Sequence, residues 1–315
     1  MIHSTLKNLP NEDICLMLTV PNHSWVYLCD CGQASQLSVA DCLKVNAIFI
    51  SHTHIDHFCN FDTIFRHQLG IQRTVTICGP VGIAKNVQAK LLGYTWNLIE
   101  ADAVKYEIRE IGLDDSITIF EITPPSWDIK FIETIKDEII YKNDVFDVKF
   151  TSLNHSIPSI AYLFETYPKT KIQDFPFKAG KWVKELKEAF EQNLPEKNIQ
   201  IEGTNYLAKD LFSYIFVEEG YKLGYVMDHL ASEENFEKIV HLFQKADELF
   251  IESYYLEEDK ELALKNHHST AKNSGLVARR AQVKKVNPVH HSRKYNHNIQ
   301  LLIDECLEAF HSPKI

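Results

Sequence analysis

Nine of the fifteen histidines fall in five short segments, and each segment follows a run that reads as a β-strand. The densest is Ser51-His52-Thr53-His54-Ile55-Asp56-His57, directly after the apolar run Ala47–Ile50. A strand end is where a rigid scaffold hands side chains to a functional loop. Alternation puts His52 and His54 on one side, where two imidazoles can share one metal ion. Asp56 and His57 then offer a carboxylate and an imidazole to a second ion nearby. Four ligand-type side chains within six positions have little use as core or surface polar groups. The remaining segments are His155, Asp228-His229, His267-His268 and His290-His291. Each of these also has a plain reading. A lone loop histidine such as His155 is more often a surface residue, and Asp228-His229 fits a simple turn. Ser269 or Thr270 fits the cap of a following helix. Cys29 and Cys31, with one residue between them, are tight for a zinc pair and read as core thiols.

The elements that must position these residues alternate along the chain. Ile14–Val20, Trp25–Cys29, Ala47–Ile50, Thr74–Cys78, Val104–Ile111, Ser116–Ile122 and Val145–Leu153 read as strands. So do Ile160–Glu165, Tyr214–Val217, Leu223–Met227, Glu248–Glu252 and Lys284–Val289. Helical patterns fall at Asp62–Leu69, Val81–Leu91, Ser232–Lys245, Ala271–Ala281 and about Asn296–His311. Two strand-rich halves with interspersed helices predict an α/β protein, a mixed sheet sandwich covered by helices, as one domain over 1–315. The polar, Lys-rich stretch at about 166–209, with a short helix around Trp182–Phe190, reads as an insertion on it. No Walker loop or GxGxxG stretch supports a nucleotide-cofactor fold.

The 315 residues carry a net charge of −10, which by itself disfavours a nucleic-acid binder. The balance is uneven, however. Between Glu261 and Asp304 there is no acidic residue but eight basic ones, Lys265, Lys272, Arg279, Arg280, Lys284, Lys285, Arg293 and Lys294. That stretch is either a solvated face or a phosphate-binding one. No run is long and apolar enough for a spanning helix, so no membrane is expected. Seven scattered cysteines and the lack of a leader-like start point to the reducing cytoplasm.

His52-x-His54-x-Asp56-His57 resembles the HxHxDH signature of the metallo-β-lactamase superfamily, and other stretches resemble ribonuclease Z in the same order. They are Leu28-Cys29-Asp30-Cys31-Gly32-Gln33, Cys78-Gly79-Pro80-Val81-Gly82 and Asn154-His155-Ser156-Ile157-Pro158-Ser159. Gly224-Tyr225-Val226-Met227-Asp228, His268-Ser269-Thr270-Ala271 and His290-His291-Ser292-Arg293-Lys294-Tyr295 follow. The resemblance implies the metallo-β-lactamase fold, an αββα four-layer sandwich of two mixed β-sheets with outer helices. It implies that His52, His54 and His155 hold one zinc, that Asp56, His57 and His290 hold a second, and that Asp228 bridges them. Asp30 is then a supporting carboxylate. Manganese or iron would suit the same residue types as the two Zn2+. Asp56 and His268 become the catalytic pair, His268 as donor to a leaving ribose oxygen.

The implied activity is a dinuclear-zinc phosphodiesterase, a ribonuclease Z-like endonuclease that cuts the 3′ extension of precursor tRNA. An alternative is a hydrolase of the same fold acting on a small phosphodiester or related small molecule. A third is a non-catalytic metal-binding protein, which the full set of ligand-type residues disfavours. Family members are commonly homodimers. The Gly-Thr-Gly strand end of the family is missing, and one departure favours the small substrate: the stretch at 166–209 lacks the Gly/Pro-rich composition of the family's RNA-gripping arm.

Overall fold

Continuous apolar runs form where a strand is covered on both faces, and Val26–Cys29 shows it. Tyr27 and Cys29 pack inward on one side while Val26 and Leu28 pack on the other, all four buried. The structure, a computed structural model, describes residues 1–312. The chain forms two compact units, one from Met1–Glu165 together with the chain from Tyr221 onward, the other from Thr166–Gly220.

In the first unit, one sheet holds eight strands in chain order. They are β1 (His3–Leu6), β2 (Leu16–Thr19), β3 (Val26–Cys29), β4 (Val45–Phe49), β5 (Thr74–Pro80), β6 (Lys105–Ile111), β7 (Ile117–Ile122) and β8 (Ile129–Ile135). β3 to β6 run parallel and the flanking pairs antiparallel, so the sheet is mixed. The second sheet uses β9 (Ile139–Lys142), β10 (Phe146–Asn154), β11 (Pro158–Thr166), β16 (Lys222–Val226), β17 (Glu248–Glu252) and β18 (Val286–Val289). Its order is β18-β17-β16-β11-β10-β9, with β16, β17 and β18 parallel.

Tyr27, Phe49 and Ile117 of the first sheet share a core with Phe146, Tyr162, Tyr225 and Phe250 of the second. The outer face of the first sheet packs on the helices Phe61–Gln68 and Ile83–Leu92. The second is covered by Glu233–Leu242, Ala271–Arg280 and Gln300–His311. This is the expected four-layer αββα sandwich. The last two helices approach closely at Gly275, where a Cβ would meet the Cys306 carbonyl oxygen at 2.1 Å. Only glycine fits there. β1, β8 and β9 were not expected as strands. β8 alternates Lys130 and Glu133 with Phe131 and Ile132 and is exposed along most of its length, so it lacks the buried-face pattern.

The second unit has its own small core of Trp182, Leu186, Ala189, Ile199, Ile201, Ala208 and Leu211. β12 (Lys169–Ile172) pairs antiparallel with β15 (Ile215–Glu218), and β13 (Asn198–Ile201) with β14 (Thr204–Leu207). The β13–β14 turn, Glu202-Gly203, has positive φ at both residues, 49° and 87°, as a type I′ hairpin requires. The helix Lys181–Glu191 lies where the short helix was expected.

Candidate metal centre

The ligand-type side chains arrive from the segments that follow strand ends. β4 ends at Phe49 and leads to His52 and His54, while the one-turn helix Ile55–Phe58 carries Asp56 and His57. β10 ends at Asn154, just before His155; β16 ends at Val226, just short of Asp228; β18 ends at Val289, before His290. The group is thus assembled from both sheets. Ser156 and His290 take φ of 60° and 55°, conformations that residues with a Cβ adopt rarely and that cluster at functional sites.

The side chains fall into two sets. Ligand atoms of His52, His54, His155 and Asp228 lie within 4.8 Å of one another, and so do those of Asp56, His57 and His290. Asp228 faces both. Its Oδ2 is 3.6 Å from His52 Nε2 and 3.6 Å from His155 Nε2. Its Oδ1 is 3.6 Å from His57 Nε2 and 2.8 Å from His290 Nδ1, the latter without hydrogen-bond alignment.

His52 Nε2, His57 Nε2, His290 Nδ1 and Asp228 Oδ1 are buried and have no hydrogen-bond partner. Leaving one such group unpaired costs about 1–3 kcal/mol. Four converging on one place make sense around cations and little sense in a protein core. The opposite ring nitrogens are held. His155 Nδ1 donates to the His267 carbonyl at 2.7 Å, and His57 Nδ1 lies 2.8 Å from Asp30 Oδ2. His52 Nδ1 lies 3.1 Å from Ser51 Oγ. Such contacts fix the ring and leave the other nitrogen for an ion. Asp30 is itself locked, accepting from Ser51 N at 2.7 Å, Ser51 Oγ at 2.8 Å and Tyr225 OH at 2.8 Å. The donor set, imidazoles with carboxylates, fits divalent metal ions.

Charge follows the same geometry. Burial, helped by His57, holds His52 well below the usual imidazole value, in the neutral form that ligates. Burial would also lower His57 and His290, but carboxylates outweigh it. Asp228 and Asp30 hold His57 up, and Asp228 with Asp56 pushes His290 up to about 9. Burial would raise Asp228, yet His290 and His57 keep it well below the carboxylate range.

A second arrangement adjoins the first. His268 Nδ1 lies 2.8 Å from Glu252 Oε2, and Glu252 Oε1 accepts the backbone N–H of His229 at 2.8 Å and of Ser269 at 3.2 Å. The fully buried Glu252 carboxylate outweighs burial and raises His268. Thr270, whose hydroxyl accepts from Asn273 N at 3.2 Å, caps the helix that follows His268. Beside the first arrangement lies a pocket of about 560 Å³, bordered by Asp56, His290, Tyr254, His291 and Arg293 among others.

No protein-family model matches the chain. Its sequence is 25% identical to ribonuclease Z of Deinococcus radiodurans over 311 residues, covering 94% of this chain and 91% of that protein. It is 27% identical to ribonuclease Z of Enterococcus faecalis over 304 residues, covering 92% and 84%. Among solved structures, the metallo-β-lactamase fold protein YhfI from Bacillus subtilis superposes with a TM-score of 0.57 at 13% identity, covering 96% of this chain and 88% of that one. The short form of human tRNase Z gives 0.56 at 17% identity, covering 93% and 94%. This is a metallo-β-lactamase-fold protein that resembles ribonuclease Z.

Within this metallo-β-lactamase fold, His52, His54, Asp56, His57, His155, Asp228, His290 and His268 all come together. Sequence reasoning missed Glu252. Its signal was a carboxylate closing the buried run Leu249–Ile251, a place where an unpaired charge is costly. His267 is half-buried, and its carbonyl serves His155, whereas its side chain takes no part in either cluster. Of the two readings of the basic stretch, its ion pairs favour the solvated face. Arg280 pairs with Glu233 at 2.9 Å and with Glu237, Lys284 with Asp247 at 2.7 Å, and Lys285 with Glu248 at 2.6 Å. Arg293 pairs with Asp13 at 3.1 Å and Lys294 with Asp259 at 2.5 Å. Carboxylates from elsewhere in the chain thus pair with at least five of the eight cations. Among the described residues, no helix is long and apolar enough to cross a membrane.

Proposed function

We propose that the protein is a metal-dependent phosphodiesterase of ribonuclease Z type that cuts the 3′ extension from precursor tRNA. The observation that carries it is Asp228, which offers one oxygen to each of two ligand sets while the Glu252–His268 pair stands beside them. That the relatives named ribonuclease Z align along most of the chain supports the tRNA substrate. His52, His54, His155 and Asp228 would hold one Zn2+, and Asp56, His57, His290 and Asp228 a second. When bound there, the ions supply water activation at neutral pH and charge neutralisation on a phosphoryl oxygen.

The chain's own residues do the rest. Asp30 and the His267 carbonyl hold the His57 and His155 rings, so their free nitrogens face inward. Glu252 holds the Nδ1–H of His268, which leaves Nε2 as the proton donor to the departing ribose oxygen. Ionised Glu252 raises His268, so the ring stays protonated to higher pH than a free imidazole. The pocket of about 560 Å³ gives a flanking nucleoside a place beside Asp56 and His290. Seven free thiols suit a reducing cytoplasm, and a homodimer is the assembly that the resemblance suggests.

A second reading, hydrolysis of a small phosphodiester, is favoured by the ion-paired basic stretch. One experiment separates them: cleavage of a 3′-extended tRNA beside bis(nitrophenyl) phosphate, with the same metal-loaded protein and its metal content measured. A single cut at the 3′ boundary, much faster than diester turnover, supports the tRNA reading. Diester turnover with intact tRNA hands the site to the small substrate.

A further inference from the structure

A proton donor must be fixed both in direction and in plane. The Glu252 contact at 2.8 Å fixes the direction of His268 Nδ1, but one hydrogen bond is an axis, about which the imidazole can still turn. A second restraint lies on its face. The Tyr254 ring stacks on His268 with centroids 3.8 Å apart and planes only 5° from parallel. The other rings near His268 meet it differently. His155 lies at 4.9 Å and 56°, Tyr255 at 6.1 Å and 69°, and His290 at 6.2 Å and 44°. Among the described residues, Tyr254 alone lies flat on His268.

Tyr254 is well placed to impose that plane, because its own backbone is tied down. Ser253 N–H donates to the Val289 carbonyl at 2.8 Å, Ser292 N–H to the Tyr254 carbonyl at 3.1 Å, and His291 Nδ1 lies 3.1 Å from the Ser253 carbonyl. Its ring also borders the pocket shared with Asp56 and His290. Reactive groups work only when held within about 10–20° of the productive geometry, a tolerance that a lone hydrogen bond does not secure.

We propose that Tyr254 is a positioning residue that fixes the plane of the His268 imidazole, so that Nε2 stays aimed at the departing oxygen. The proposal rests on the hydrolase reading above. It concerns the face of the ring and not the phenol, so phenylalanine should serve and leucine should not.

The test uses the full metal-loaded chain, Tyr254→Phe and Tyr254→Leu, and two diesters of one nucleotide, with nitrophenolate and with an alkoxide as leaving group. Tyr254→Phe should keep the native ratio of the two kcat values. Tyr254→Leu should lower kcat on the alkoxide roughly 3- to 10-fold, the worth of one ring stack. Metal content should hold, and kcat on the nitrophenolate should fall less than on the alkoxide. Equal losses on both diesters, or an unchanged ratio, would overturn the proposal. A readout without turnover is the NMR shift of the His268 ring protons, assigned by their loss in His268→Ala. Stacking should place them upfield, with a downfield move in Tyr254→Leu but not in Tyr254→Phe. Absence of that upfield position would overturn the stack itself. If the shifts behave and the native protein cleaves neither diester nor a 3′-extended tRNA, the hydrolase reading fails and takes the positioning role with it.

Discussion

The histidine-bearing strand ends and the basic stretch from Lys265 to Lys294 both stand out by composition, and the fold treats them in opposite ways. At the strand ends, polar atoms converge and are left without protein partners, as with His52 Nε2, His57 Nε2 and Asp228 Oδ1. Along the basic stretch, cations diverge over the surface and find a carboxylate, as Lys284 finds Asp247 and Lys285 finds Glu248. Clustering in sequence is therefore no measure of function by itself. What separates the two is whether the fold leaves the groups unsatisfied at one point.

The strongest attack on that contrast is Asp228→Ala, which removes the atom pair both ligand sets share. Elemental analysis should show both ions lost or depleted. Turnover should fall by roughly 10³ or more, because the ions are worth several kcal/mol of charge stabilisation. Full occupancy in this variant would take Asp228 out of the ligand set. Next is His268→Ala, expected to keep its metals but lose roughly 10²–10⁴ in turnover on poor leaving groups. His267→Ala, whose backbone carbonyl is untouched, should stay active; the reverse result would shift the donor assignment by one residue. Glu252→Gln adds a pH test of the same pair. Glu252 raises His268, so removing its charge should move the alkaline fall of the rate to lower pH.

Asp30→Asn should have a smaller effect. It weakens the hold on His57 without removing a ligand, and supporting partners of this kind are typically worth about 10- to 100-fold in metal affinity. Competition with a chelator of known affinity would read it. Smallest of all should be glutamine at Arg280, Lys284 and Lys285. If carboxylates already occupy these cations, the salt dependence of RNA binding should not change. A drop in slope of about 0.7–0.9 per position would restore them as phosphate contacts.

Much of the candidate metal centre was legible in the sequence, because its residues sit at or just after strand ends and strands announce themselves by apolar runs. Ala47–Ile50 ahead of His52 and Leu223–Met227 ahead of Asp228 are cases in point. Glu252 was not, since its role depends on β17 lying parallel beside β16, which brings Glu252 against the His229 backbone. Tyr254 was hidden for the same reason: an aromatic after a strand gains meaning only when the His268 ring is seen against it. The neutralised basic stretch was illegible because its partners Glu233, Glu237 and Asp247 belong to earlier elements that only tertiary packing brings near. The small core at Thr166–Gly220 was masked by its polar composition, with Trp182 and Leu186 spaced on one helix face among lysines and glutamates.

The two ligand sets also bear on the order of events during folding. His52, His54, Asp56 and His57 lie close together in sequence, whereas Asp228 and His290 join them from far along the chain. Contacts between distant segments carry a large loop-closure cost and tend to form late. On a growing chain, the early cluster exists well before the strand that delivers His290 has docked. An ion captured at that stage would sit in an incomplete shell and exchange freely. Retention in the set of Asp56, His57 and His290 should come only when β18 takes its place beside β17, so the closing strand would act as the lock on that ion.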